Sequence, residues 1–240
     1  MAKVMAGPLE RSGSVGDALH GLLGAVRAAR GLPPLEPRPE APRVRRYKQI
    51  RAVGCHLLFR HGYAGMTMRQ IASRLRIKAA SLYHHFPSKQ HILFDLMQAT
   101  ASELLEGLRR IAQSGESAER QLDEAVRWHV LFHTQKREEA FVSHSELRSL
   151  EPENLEAILA LRREYDRLFD GILQRGKRQG VFAIEDVSVV RNSILTMCTA
   201  TGIWFSPEGR LTAEQVADQI CNFVRAALAK RSDQRTAKAQ

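Results

Sequence analysis

The stretch from Thr67 to Lys89 constrains the fold more than any other part of this 240-residue chain. Thr67 and Gln70 stand at capping-box spacing, so a helix starts there. Met68, Ile71, Ala72 and Leu75 recur at helical spacing and give it one inner face. A tight break follows at Arg76-Ile77. A second short helix, about Lys78–His85, ends at Phe86-Pro87-Ser88-Lys89. Ser88 then caps a longer helix over about Lys89–Ile111. Two short helices joined by a tight turn are a helix-turn-helix in outline.

The remaining punctuation is also helical. A first helix runs over about Val44–His61, with Ile50, Val53, Leu57 and Leu58 on one face, and Gly62 suits the left-handed position beyond its end. After Ser114-Gly115, helices are expected over about Ala118–Gln135 and Glu138–Leu150. The next starts near Pro152 and stops at Gly180. Another covers about Glu185–Trp204, and a last one is capped by Thr212 with Gln215 at capping-box distance. Aromatic residues are only 6% and β-branched runs are scarce, which argues against a sheet. The expected fold is all-α, with about nine helices. Its expected divisions are a flexible Pro-rich extension over 1–43 and a helix-turn-helix domain over 44–92, the motif itself at about 67–86. A helical effector-binding and dimerisation domain over 93–230 and a tail over 231–240 complete it. Asp17 to Arg30 could form a short amphipathic helix, marginal without a partner.

Charge separates these regions. The chain carries a net +10, yet residues 1–100 hold 16 Lys and Arg against 5 acids, and residues 101–240 hold 20 against 21. Between Glu40 and Asp95 there are 11 Lys or Arg, five histidines and no acid. A surface selected for solubility alone mixes its signs. An acid-free basic block suits a polyanion, because cations near phosphates release condensed counterions. Three cysteines standing far apart exclude a disulfide scaffold and a CxxC metal or redox motif. The longest apolar stretch, Ile194 to Phe205, is too short to span a bilayer. With no signal-peptide pattern at its start, the chain reads as cytoplasmic, with no membrane partner.

The second helix of a helix-turn-helix enters the DNA major groove while the first crosses the backbone. Here Lys78, Ala79, Ser81 and His84 share one side of that helix, and Leu82 and Phe86 face the core. Ser81 can donate to or accept from a base, and the methyl of Ala79 can touch a thymine methyl. Tyr83, His84 and Lys89 offer donors at phosphate height. Thr67, at a helix N-terminus beside Arg69, can also hold a phosphate.

The run Thr67-Met-Arg-Gln-Ile-Ala, then Ser81-Leu-Tyr-His-His-Phe-Pro-Ser-Lys89, resembles the signature of TetR-family transcriptional regulators. Phe59-x-His-Gly-Tyr resembles the end of that family's first helix. The match covers about residues 45–95. It implies a dimeric, all-helical DNA-binding protein, usually a repressor of a pseudo-palindromic operator that a small ligand releases. The turn departs from the pattern. Where the family has Ala-Gly-Val-Ser, this chain has Leu75-Arg76-Ile77-Lys78. Losing the glycine costs stability if the position needs positive φ, and losing the serine removes an N-cap oxygen. Arg76 and Lys78 add charge beside the DNA backbone, so binding is expected to be strong and salt-sensitive.

In the C-terminal region the resemblance implies that the last two helices pair with their copies. Ile194, Cys198, Ile220, Phe223 and Val224 are the dimer candidates, with Val189, Met197, Ile203 and Phe205 beside them, and some of these must be the chain's own core. Glu146-Leu-Arg148-x-Leu-Glu-Pro-Glu-Asn-Leu and the later Gly202-Ile-Trp-Phe-Ser-Pro-x-Gly-Arg-Leu211 look like TetR-family regulators of lipid catabolism, which respond to acyl-CoA thioesters. Such a ligand needs an apolar tunnel and cations for its phosphates. Trp128, Phe132, His144, Tyr165, Met197 and Trp204, with Arg148 and Arg191, are the ligand candidates, and Phe141, Phe169, Arg162 and Arg163 stand beside them. His129 and His133 have i,i+4 spacing, but the intervening Val130-Leu131-Phe132 lacks the glutamate of a zinc protease helix. They read as partner-bonded histidines at a helix interface, and no metal or cofactor is expected. Two other readings stay open at this level: an acyl-CoA-handling enzyme and a non-specific architectural DNA binder. No nucleophile triad, paired carboxylates or phosphate loop supports an enzyme.

Overall fold

A computed structural model describes residues 41–229, so the expected extension (up to Glu40) and the tail lie outside the described residues. Among the described residues there are nine α-helices and no strand: α1 Pro42–Gly65, α2 Met68–Arg74, α3 Ala79–Tyr83, α4 Lys89–Ala112, α5 Ala118–Gln135, α6 Arg137–Ser145, α7 Pro152–Gln179, α8 Val187–Trp204 and α9 Ala213–Leu228. No helix among them is long and apolar enough to cross a membrane.

Local chemistry sets these boundaries. Thr67 and Thr212 both close capping boxes, with Gln70 and Gln215. Ser88, Ser117 and Asp186 accept the backbone N–H three residues on. Each such cap contributes about 1 kcal/mol. Gly62 (φ 66°) and Gly180 (φ 72°) take the left-handed conformation that ends α1's regular part and α7.

One expectation needs correction. The helix foreseen over 138–150 stops at Ser145, and Leu147–Ser149 form a separate 3-10 turn. Proline at 152 keeps Glu151 extended (ψ 150°), so the chain must leave the α conformation before it. The tighter turn satisfies carbonyls at the helix end, and Ser149 Oγ donates to Glu146 Oε2 at 2.8 Å.

Two apolar cores hold the unit that starts at Arg46. The first gathers Ile50, Leu57, Leu58, Ile71 and Leu82 of α1–α3 with Phe86 just beyond α3, joined by Val142 and Ile158. The second gathers Leu122, Val126, Phe169, Ile172, Cys198 and Val216 of α5, α7, α8 and α9. Helix α4 serves both: Ile92, Leu93 and Met97 enter the first, Leu105 and Leu108 the second. Its apolar stripe therefore makes one rigid rod between the helix-turn-helix and the C-terminal helices. Burying each such side chain contributes roughly 1.5–3 kcal/mol.

Candidate nucleic-acid interface and effector cavity

Helix α3 turns Leu82 fully inward and keeps Ala79, Ser81, Tyr83 and His84 at the surface, with Tyr83 half exposed. Phe86 stacks on Tyr47 of α1, ring centroids 4.9 Å apart, which fixes the angle at which α3 leaves the core. Thr67, Arg69 and Lys78 are exposed on the same motif. Lys89 is different. It is half-buried, its Nζ donates to the Tyr63 carbonyl at 3.0 Å, and it lies 4.1 Å over the Tyr63 ring. One of its three N–H donors is therefore committed to holding the end of α1 against α4.

The turn between α2 and α3 adopts the geometry of a Schellman closure. Ile77 N donates to Ala72 O at 3.0 Å and Arg76 N to Ser73 O at 3.1 Å. Arg76 occupies the left-handed position, with φ 53°, the only non-glycine residue with positive φ among the described residues. A side chain there costs roughly 1–2 kcal/mol. Lys78 is the N-cap of α3 and makes no side-chain cap bond. The helix ends at Tyr83, short of the 78–85 expected. The exposed Arg69, Arg74, Arg76 and Lys78 have no carboxylate partner among the described residues. Arg51 does, at 3.1 Å from Asp95. The basic block thus spends part of its charge internally and leaves the rest around α3.

Below this motif, α4 to α8 enclose a cavity of about 630 Å³, within the range of roughly 300–1,000 Å³ usual for small-molecule sites. Of the eight ligand candidates, Phe132, His144 and Tyr165 line it, as does the neighbouring candidate Arg162. The other five do not. Trp128 lies in the notch left by Gly107, its indole N–H donating to Leu104 O at 3.0 Å. Arg191 is held by Asp170 and Asp166 of α7. Met197 packs into the second core, Arg148 is exposed on the 3-10 turn, and Trp204 is 59% exposed.

The cavity is more polar than an acyl tunnel requires. His129 and His133 stack in parallel, 4.3 Å between centroids, and His144 lies 6.1 Å from His133. His129 hydrogen-bonds the Tyr165 hydroxyl through Nδ1 and the Thr199 hydroxyl through Nε2, each at 2.9 Å. Burial, with the neighbouring imidazoles, drives the His129 pKa well below its usual value, and burial lowers that of His133. His144 opens part of its surface to the cavity. Desolvation, then the Arg162 charge and His133, push it down to about 4. All three are neutral near pH 7. Sequence reading overlooked Ser143, Asn192 and Thr199 as lining residues. The signal for Asn192 and Thr199 was a row of polar residues along α8, an otherwise apolar helix, while Ser143 on α6 had none.

The dimer candidates divide between the chain's own core and its surface. Ile194, Cys198, Ile220 and Val224 are buried in the chain's own core, because α8 and α9 spend those faces on α5 and α7. Phe223 of α9 is at the surface, 64% exposed. The candidates Val189 and Ile203 of α8 are exposed as well, as is Trp204.

Residues 50–96 match the family described as bacterial regulatory proteins, tetR family, and residues 115–228 match the tetracyclin repressor-like C-terminal domain. The chain is 25% identical over 188 residues to the HTH-type transcriptional repressor KstR2 of Rhodococcus jostii, covering 75% of this chain and 89% of that protein. Among solved structures, it resembles AibR in complex with isovaleryl coenzyme A and operator DNA, at 28% identity and TM-score 0.68, over 74% of this chain and 97% of that one. The ketosteroid regulator KstR2 of Mycobacterium tuberculosis shares the fold at TM-score 0.73 and 23% identity, over 78% and 96%. The helix-turn-helix, the cavity-bearing helical domain and these matches agree: the chain belongs to the TetR family and is a DNA-binding transcriptional regulator rather than an enzyme.

Proposed function

We propose that this protein is a homodimeric repressor that holds a pseudo-palindromic operator and releases it when an acyl-CoA thioester enters the cavity. In this reading residues 44–92 read DNA and residues 93–230 bind effector and partner. Ser81 and Ala79 touch base edges, while Thr67, Arg69, Lys78, Tyr83, His84 and Lys89 hold the backbone. Phe132, Tyr165 and His144 surround the acyl body, and Arg162 stands where a carbonyl or phosphate could meet it. Exposed Val189, Ile203, Trp204 and Phe223 supply the apolar surface for a second copy. The observation that carries the reading is the position of the cavity. Helix α6 lines it through Ala140, Ser143 and His144, and the same helix touches α1 of the DNA-binding motif through Glu138 and Phe141. The likeness to repressors of the KstR2 type and to a regulator bound to isovaleryl coenzyme A supports the ligand class.

The test is selection of DNA from a random pool by the full chain, followed by titration with acyl-CoA thioesters. A selected inverted repeat, preferred about a thousandfold over random DNA at physiological salt, and released by a thioester, is the expected result. Equal affinity for all sequences would favour an architectural role instead.

A further inference from the structure

The cavity wall built by α5, α6 and α7 carries polar groups that the fold leaves without protein partners. His133 is only 3% exposed. Its Nδ1 lies 2.9 Å from the carbonyl oxygen of His129. A carbonyl can only accept, so Nδ1 carries the proton. Desolvation keeps the ring neutral. The neutral Nδ1–H ring leaves a bare lone pair on Nε2, which has no hydrogen-bond partner among the described residues. The ring cannot readily turn to find one. It is clamped by its backbone bond and by the parallel ring of His129, itself tied at both nitrogens to Tyr165 and Thr199. Ser143 Oγ, on the same wall, is buried and also unpartnered, and the Ser143 carbonyl is occupied by Arg162 Nη2 at 2.6 Å.

An acceptor held in place on the wall of a cavity selects for a donor on whatever fills the space beside it. We infer that the cavity takes a ligand with a hydroxyl group on an otherwise apolar body, the hydroxyl donating to Nε2 of His133. A saturated acyl chain offers no donor there. A ketone at that point sets lone pair against lone pair. Arg162 and Ser143 Oγ can serve a carbonyl or carboxylate elsewhere on the same molecule. This deepens the effector reading, because it rests on the cavity being the effector site. It narrows the class to hydroxylated alicyclic or hydroxyacyl compounds.

The test uses cyclohexanol and cyclohexanone as probes on the full chain, two rings of nearly equal size that differ in donor capacity. Long-range proton–nitrogen correlation spectra read the His133 ring directly. The free protein should show Nδ1 protonated and Nε2 bare. Cyclohexanol should move the Nε2 resonance and bind about tenfold more tightly than cyclohexanone, the worth of one net hydrogen bond. His133→Phe should erase that preference. The inference is overturned if Nε2 is protonated in the free protein, if the ketone binds as well as the alcohol, or if neither binds. The spectra of the unmutated protein decide the matter even if His133→Phe fails to fold. Should the alcohol bind as expected while DNA affinity never responds to occupancy of the cavity, the ligand chemistry stands and the regulatory reading fails.

Discussion

Phe141 of α6 meets Phe59 of α1 edge to face, with ring centroids 5.1 Å apart. One turn away along each helix, His56 Nδ1 lies 3.0 Å from Glu138 Oε1. Two contacts at matching spacing clamp α6 to the first helix of the DNA-binding motif. Gln90 of α4 adds a third tie nearby, its Nε2 donating to Ser149 O at 2.5 Å. In the proposed reading, a ligand pressing on Ala140, Ser143 or His144 would displace α6, and these contacts would pass the displacement on.

Phe141→Ala should therefore weaken communication more than binding. The expected result is near-normal affinity for selected DNA and for ligand, with the effect of ligand on DNA affinity reduced. The loss of coupling should be roughly 0.5–2 kcal/mol, measured by DNA titrations with and without saturating ligand. Unchanged coupling in both Phe141→Ala and Glu138→Gln would place the transmission elsewhere.

At the turn, Arg76→Gly removes a left-handed arginine. Relief of roughly 1–2 kcal/mol of strain is partly offset by the greater freedom of glycine in the unfolded chain. A net gain of about 0.5–1 kcal/mol in urea unfolding is expected. The same variant, and Lys78→Ala, should each reduce the salt slope of DNA binding by about one unit, with losses equal on all sequences. Ser81→Ala should instead alter sequence preference.

Gly107→Ala tests the packing of α4 on α5. A Cβ at 107 falls on the indole of Trp128, so the ring must leave its notch and its bond to Leu104 O. Destabilisation of about 1–3 kcal/mol and a red-shifted tryptophan emission are expected.

The histidine cluster predicts the acid response. His129, His133 and His144 all have folded pKa values below their usual 6.5, the last at about 4. Below pH 6.5 the unfolded chain binds protons that the folded chain refuses, so stability is intact above 6.5 and falls as pH drops toward 4. Each group steepens the fall by at most about 1.4 kcal/mol per pH unit. His144→Gln should flatten the dependence of Tm on pH between 6.5 and 4, and an unchanged slope would contradict the assignment.

Much of this architecture was legible in the sequence because it is written in local chemistry. Thr67, Ser88, Thr212, Pro152 and Gly180 mark helix ends through caps and dihedral preferences that need no tertiary partner. Placing Leu82 inside followed from helical periodicity alone. The cavity was less legible. Trp128 and Met197 look like ligand contacts by type, but their direction depends on which neighbour leaves a gap, here Gly107 for the indole. Arg191 looks like a phosphate ligand until Asp170 and Asp166 on α7 are brought beside it. The dimer face was left open for a related reason. Periodicity shows that α8 and α9 have two apolar faces, and cannot say which one the chain keeps for itself.

The central claim is that one cavity governs one DNA-reading surface. Fluorescence anisotropy on DNA selected by the full chain, titrated with and without a saturating acyl-CoA thioester, tests it most directly. The account predicts about a thousandfold preference for the selected site at physiological salt and a loss of at least about tenfold in that affinity, about 1.4 kcal/mol of coupling, when the thioester is bound. DNA affinity that stays the same while calorimetry shows the cavity filled would contradict it.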